Sequence, residues 1–264
     1  MCEVLQVSKS GYYRWTVRKT DPEEEALKDL IQGIYAEHLG RYGYRRIHKA
    51  IQRLGLSVNR KRIARLMHEM GLQGRERRAF KRTTDSKHKQ PVSENLLDQQ
   101  FDVEDINRVW LSDITYIKTL EGWLYLAVVM DLYSRRILGW ELSNSLEKEI
   151  VVRALNKSMS VYNPDQHLIF HSDRGVQFTA EEFRKILACY EIEQSMSGAG
   201  NCYDNAPMES FFKTLKAEIV LADCIDTKRA TRAMIFEYIE IYYNKKRLHS
   251  SLKYRTPDEV FFQR

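Results

Sequence analysis

Between residues 108 and 220 the apolar residues change period in a fixed order, and that order restricts the fold more than any other feature of the chain. Residues 108–118 alternate, with Trp110, Ser112, Ile114 and Tyr116 on one face and Val109, Leu111, Asp113, Thr115 and Ile117 on the other, which predicts a strand. The run WLYLAVVMD is continuous and suits a central strand, and RRILGWELS returns after a turn near Tyr133 and Ser134. Three antiparallel strands are therefore expected. A helix over 147–160, the strand HLIFHSD, a helix over 180–190, the short strand IEQSM and a helix over 205–220 follow in alternation. This order implies an α/β class with a mixed five-stranded sheet flanked by helices. A last helix over 228–244 leads into the basic, turn-rich tail KKRLHSSLKYRTPDEVFF.

The front third is built differently. The net charge of +6 divides into +11 for residues 1–90 and −5 for residues 91–264. A cationic segment joined to a slightly acidic body suggests a polyanion-binding module attached to something with another task. A short helical piece from Glu3 to Val7 is expected first, then a turn at SKSG, residues 8–11. Asp21, Pro22 and the acids Glu23, Glu24 and Glu25 mark a capped helix start. In YGYRRIHKAIQRLGLSVNRKRIARLMHEMGL, Ile47, Ile51 and Leu54 line one helix face; Gly55 stops that helix and Asn59 caps the next. Ile63, Leu66, Met67 and Met70 then fall at i, i+3, i+4 and i+7, and Gly71 ends the second helix. Two short helices across a tight turn, the second carrying Arg60, Lys61, Arg62 and Arg65 outward, form what a helix-turn-helix needs to enter a DNA major groove. The expected organisation is a small all-helical DNA-binding region at 1–72, with the helix-turn-helix at 45–71. A basic exposed linker follows at 73–100, whose Arg75, Arg77, Arg78, Lys81 and Arg82 could follow a phosphate backbone, then a core at 101–222 and a C-terminal helix and basic tail at 223–264.

Other classes drop out quickly. The longest apolar stretch, Trp123 to Met130, is far shorter than the roughly 20 residues of a membrane span. The first residues show no export signal, and Cys2, Cys189, Cys202 and Cys224 form no C-x-x-C pair. A soluble cytosolic chain without disulfides or a membrane partner is expected.

Three acids carry the chemical interest. Asp113 lies on the otherwise apolar face of the first strand, where a carboxylate is costly without a metal, a cation or solvent. Asp173 stands at the C-terminal end of a strand, the edge where open α/β sheets bind ligands. Glu209 opens the helix capped by Asp204 or Asn205, and on that helix Glu209, Lys213 and Lys216 fall within roughly 60° of one another. Met208, Phe211, Phe212, Leu215 and Ile219 form the neighbouring apolar arc. Asp131, at the end of the second strand, is a rival acid.

The residues around these acids match a known pattern. Trp110-x-x-Asp113-Ile114-Thr115-Tyr116, His171-Ser172-Asp173-Arg174-Gly175 and Gly200-Asn201-Cys202-Tyr203-Asp204-Asn205-Ala206-x-x-Glu209, with 35 residues between the second Asp and the Glu, resemble the DDE integrase core of bacterial transposases. Together with Tyr242-Tyr243-Asn244-x-x-Arg247-x-His249-Ser250-x-Leu252 and Thr256-Pro257, the chain looks like a second-reading-frame product of the insertion sequence three family. The resemblance covers nearly the whole chain.

It implies a ribonuclease H-like core in which Asp113, Asp173 and Glu209 are catalytic and bind two divalent ions, Mg²⁺ with Mn²⁺ as a substitute. It implies strand cleavage and strand transfer of an insertion sequence by in-line phosphoryl transfer, acting in the bacterial cytoplasm at the nucleoid. Lys213 and Lys216 match positions that face element-end DNA, Gln177 lines the site, and His171 positions its strand rather than binding metal. The implied partners are DNA, further copies of the chain during synapsis, and the upstream-frame product, which in the family supplies another helix-turn-helix and a zipper; this chain shows no heptad zipper. The glycines at 198 and 200 would let the loop before Glu209 move. Two alternatives stay open on the residues alone: a nuclease that only hydrolyses, and a non-catalytic DNA-binding regulator.

Overall fold

The computed structural model describes residues 2, 4–16, 21–75, 92–162, 164, 167–198, 202–220 and 227–262. The chain forms two compact units, residues 1–75 and 76–264.

The first unit is helical. α1 (Lys9–Thr16) begins inside the SKSG segment that the sequence reads as a turn. The side chain of Ser8 explains the difference, since its Oγ accepts the Gly11 N–H at 3.2 Å and caps the helix. α2 (Pro22–Glu37) starts as its sequence requires: Asp21 accepts the Glu23 N–H at 3.1 Å, and Pro22 occupies the first turn. α3 (Tyr44–Arg53) and α4 (Arg60–Glu69) form the helical hairpin, with Asn59 accepting the Lys61 N–H at 2.8 Å. Ile31, Ile47, Ile51, Ile63 and Leu66 are fully buried between the three helices.

The second unit is built on β1 (Val109–Thr119), β2 (Gly122–Asp131) and β3 (Ile137–Ser143), consecutive and antiparallel. α5 (Glu149–Tyr162) crosses to β4 (Ile169–Ser172), which pairs parallel to β1. α6 (Val176–Thr179) and α7 (Glu181–Cys189) lead to β5 (Glu193–Met196), parallel to β4, so the sheet order is β3-β2-β1-β4-β5. α8 (Ala206–Leu215) continues into a π-helical turn over Lys216–Val220. α9 (Lys228–Phe236) does the same over Glu237–Tyr243, and α10 (Pro257–Phe261) closes the fold. α5 packs closely because Gly139 of β3 faces it: a Cβ there would collide with Ser158 Oγ and the Ala154 carbonyl. Trp110, Ala127, Val129, Ile150, Leu155, Phe170, Phe178 and Phe183 fill the core between sheet and helices.

Both edges of the sheet are tied. Asn244 accepts the Ile137 N–H at 2.9 Å and donates to its carbonyl at 3.0 Å, pinning β3. At the other edge the sequence expects exposed linker through residue 100, and residues 92–100 depart from it. The Met196 N–H donates to the Glu94 carbonyl at 3.1 Å, the Leu96 N–H to Ser195 Oγ at 2.9 Å, and Ser93 Oγ to Gln194 Oε1 at 3.0 Å. Leu97 is buried. This strap satisfies the open edge of β5, a need that a polar stretch meets with its backbone. Linker residues 76–91, with Arg77, Arg78, Lys81 and Arg82, lie outside the described residues.

Among the described residues, no helix is long and apolar enough to cross a membrane. Cys2 and Cys189 are free; Cys224 lies outside the described residues.

Candidate active site

The parallel pairing of β1 with β4 ends at Ser112 opposite Ser172. The next residue of each strand is an aspartate, so Asp113 and Asp173 emerge side by side, about one strand spacing or ~4.8 Å of backbone apart. Asp113 is half-buried as a residue, but its carboxyl group is enclosed by protein atoms. Burial first, then the charge of Asp173 and that of Glu209, push its pKa well above the usual carboxylate range; the Ile114 N–H at 2.7 Å and the Lys216 ammonium pull against this. All three acids therefore share one electrostatic site.

Asp173 is held by its own turn, Oδ1 accepting the Gly175 N–H at 2.9 Å. A Cβ on Gly175 would stand 3.0 Å from Asp173 Oδ1 and 3.3 Å from Gln177 Oε1, which places the buried Gln177 beside the second acid. His171 is fully buried, with Nδ1 2.9 Å from Ser195 Oγ and Nε2 3.2 Å from Ser197 Oγ. Burial pushes its pKa down to about 4, so the ring is neutral at pH 7. Both ring nitrogens are engaged by hydroxyls, which fits the positioning of adjacent strands.

α8 carries Glu209 on its solvent edge because Met208, Phe211, Phe212 and Leu215 anchor the opposite arc. Glu209 accepts from Lys213 Nζ at 3.2 Å, an exposed i,i+4 pair. Such a pair contributes only about 0.3–0.5 kcal/mol and exchanges readily. Lys216 lies within electrostatic reach of Asp113, its pKa lowered by burial against the pull of that acid.

The start of α8 differs from the expectation. Asn205, the residue before the helix, makes no side-chain capping hydrogen bond. Instead Asp204 is buried and accepts three bonds, from Asn95 Nδ2 at 3.0 Å, Gln99 Nε2 at 2.9 Å and the Gly198 N–H at 2.7 Å. Asn205 Nδ2 donates to the Ser112 carbonyl at 3.1 Å, which ties α8 to β1 next to Asp113. Gly198 is thus held. Residues 199–201 of the proposed moving loop lie outside the described residues. Tyr116, which the sequence places on the opposite face from Asp113, is also within reach of the site: burial first, then Tyr125, Asp173 and Asp113 raise its hydroxyl pKa. The rival acid Asp131 is excluded, since it accepts the Ser134 N–H and Oγ–H at 2.8 and 2.6 Å and the Asn107 N–H at 2.8 Å, and so organises the β2–β3 turn.

Among the described residues, no three His, Cys, Asp or Glu side chains stand close enough together to hold a metal ion as they are placed. Hard carboxylate oxygens whose charges oppose one another's ionisation fit a divalent cation that also takes oxygen from a phosphate.

In the helical unit, Arg60 and Lys61 are exposed on α4. Arg62 and Arg65, partly exposed on the same helix, also pair with acids of the unit. Arg65 bonds Glu24 and Glu69, each at 2.7 Å, and Arg62 lies 3.6 Å from Glu24 and 3.9 Å from Asp21. The acids that favour the start of α2 also face α4, so these arginines join the two helices.

Strand order, acid placement and helical front unit together define a DNA-processing enzyme with an integrase core. An integrase core domain matches residues 104–202 and again 190–257, and an HTH-like domain matches residues 22–80. A chain of the simian T-cell lymphotropic virus intasome, solved in complex with PP2A regulatory subunit B56 gamma, superposes with a TM-score of 0.52 at 13% identity, covering 84% of this chain and 75% of that one. That likeness shows the ribonuclease H-like integrase fold. The transposase for insertion sequence element IS904 of Lactococcus lactis is 40% identical over 241 residues, 91% of this chain and 95% of the relative. The 31 kDa protein of insertion element IS600 of Shigella sonnei is 40% identical over 255 residues (96% and 94%), and InsF of IS3A from Escherichia coli K12 is 36% identical over 255 (95% and 88%). The chain belongs to the insertion sequence three (IS3) family of transposases, and its activity is that of a transposase, a polynucleotidyl transferase.

Proposed function

We propose that Asp113, Asp173 and Glu209 are the catalytic acids and the metal ligands of this transposase, and that the ions are two Mg²⁺, with Mn²⁺ able to substitute. The observation that carries this reading is the β1–β4 register, which ends at Ser112 opposite Ser172 and so sets Asp113 beside Asp173; burial first, then the charges of Asp173 and Glu209, raise the Asp113 pKa in keeping with it. When bound, the ions would supply the positive charge that polarises the scissile phosphate and steadies the attacking and leaving oxygens in an in-line displacement. The chain's own residues do the rest. Asn205 and the β1–β4 pairing hold Asp113 and Asp173 in place, Lys216 offsets part of the charge beside Asp113, and Gln177 lines the approach to Asp173. Lys213, exchangeable from Glu209, and Lys216 are the cations nearest an entering DNA strand. Water as nucleophile gives cleavage at the element end, and the freed 3′-hydroxyl gives joining to target DNA. The partners in this reading are element-end and target DNA at the bacterial nucleoid, other copies of the chain during synapsis, and the upstream-frame product of the same element.

Incubation with a labelled element end, a supercoiled target and Mg²⁺ tests this directly. Joined products that need both ends and metal are expected. Cleavage without joining would mark a nuclease, and a shifted but intact substrate a binding protein.

On the helical unit, the DNA-facing role goes to Arg60 and Lys61. Changing both to Ala is expected to weaken binding of element-end DNA about tenfold at low salt and to flatten its salt dependence by about two charges. Arg65→Ala should instead leave DNA binding unchanged and lower the melting temperature of the helical unit slightly, as loss of an exposed pair does. The reverse ranking in a salt-titrated binding assay would return DNA contact to Arg65.

A further inference from the structure

A cavity of about 360 Å³ opens in the core unit away from the three acids. It forms where the β2–β3 turn, the segment before β1 and the turn before α10 meet, and its lining includes Arg135, Lys253, Arg255, Tyr133, Phe101 and Asp102. Three cations outnumber one acid. The Arg135 Nη1 atom is buried and has no hydrogen-bond partner among the described residues. A buried donor without a partner is uncommon in native proteins and calls for an acceptor. Asp131 and the Tyr243 hydroxyl are within electrostatic reach of Arg135, but neither bonds its side chain. The backbone supports the same reading: Arg135 sits at φ 60, Lys253 at φ 53 and Tyr254 at φ 62, left-handed conformations that non-glycine residues seldom adopt and that gather at ligand sites.

We propose that this cavity is a second DNA-contact site, which seats a backbone phosphate of the bound DNA against Arg135, Lys253 and Arg255. The inference rests on the transposase reading but concerns a place that reading does not use. Leu132, at the cavity wall, donates its N–H to the Val109 carbonyl at the start of β1. Asp113 lies four residues further along the strand, roughly 13 Å at about 3.3 Å per residue. Phosphates follow one another every ~3.4 Å of axis on each strand, so a single duplex held at the acids has other phosphates at that separation.

The test uses the full chain with Arg135→Gln and, because Arg135 is largely enclosed, the exposed Lys253→Gln as a second variant. Affinity for a duplex carrying the element end is measured from 50 to 200 mM salt. Each variant is expected to bind several-fold more weakly at low salt, with the slope of log affinity against log salt reduced by about one. Slopes and affinities equal to those of the unmodified chain in both variants would overturn the proposal. A thermal shift with inorganic phosphate that Arg135→Gln abolishes, alongside unchanged DNA slopes, would assign the cavity to free phosphate and overturn it equally. If the unmodified chain binds no DNA, the transposase reading itself fails, an outcome distinct from either.

Discussion

Asp113→Asn is expected to abolish strand joining while leaving DNA binding and the fold intact. The substitution keeps the shape of the side chain and its bond from the Ile114 N–H, and removes the negative charge that the site concentrates. Losing about 4 kcal/mol of transition-state charge stabilisation, a moderate figure for a metal ligand, already means about a thousandfold in rate. Stability should move the other way. A carboxyl group whose pKa is raised on folding binds its proton more tightly in the native state, so its ionisation opposes folding as pH rises from the unfolded pKa through the folded one. Neutral Asn escapes that penalty, and the metal-free variant should melt at or above the temperature of the parent at pH 7. Asp173→Asn and Glu209→Gln should lose joining similarly. Joining at the parental rate by any of the three would remove that residue from the site, and a large drop in melting temperature for Asp113→Asn would show that its charge is compensated already.

The second large effect lies far from the acids in sequence. Arg247 and Glu218 are buried together, 2% and 5% exposed, with Arg247 Nη2 2.7 Å and Nε 3.0 Å from the carboxylate. Tyr238 donates its hydroxyl to Glu218 at 2.9 Å, and the Tyr243 ring lies 5.8 Å from the guanidinium. Arg247 fastens the segment that follows the π-helical end of α9 to the π-helical end of α8, and Tyr238 joins from within that end of α9. Arg247→Ala leaves a buried carboxylate without its guanidinium partner, which is expected to cost about 3–5 kcal/mol, or roughly 10 °C in melting temperature for a unit of this size. Replacing both residues with Leu and Met should recover much of the loss, because the pair is destructive when broken rather than strongly stabilising when intact. A single substitution costing under about 1 kcal/mol in a denaturant titration would show that solvent reaches the pair.

What could be read from the chain and what could not divides by the range of the interactions involved. The strands, α2, and the caps at Asp21 and Asn59 depend on period and on neighbours within a few residues, so the sequence contains them. The three acids of the proposed site could be picked out because Asp113 interrupts an apolar face and Asp173 ends one, and the family pattern linked them to Glu209. The pairing of Arg62 and Arg65 with Glu24 was not legible, because periodicity says which face is outward and nothing of a neighbouring helix bearing an acid. Asp204 looked like a cap because caps are local, whereas two of its three donors, Asn95 and Gln99, lie over 100 residues away. Arg135 gave no signal at all, since its enclosure arises from three segments that meet only in the fold.

The strap over 92–100 also sets an order of events. Its partners at Gln194, Ser195 and Asp204 emerge about a hundred residues later, so on a ribosome the strap is made early and must wait for the last strand of the sheet. Until then β5 has no cover and the loop before Glu209 has no tether. Contacts this distant in sequence form late and slowly. The segment that leads to Glu209, the third of the proposed acids, is therefore held only once two parts of the chain about a hundred residues apart have met.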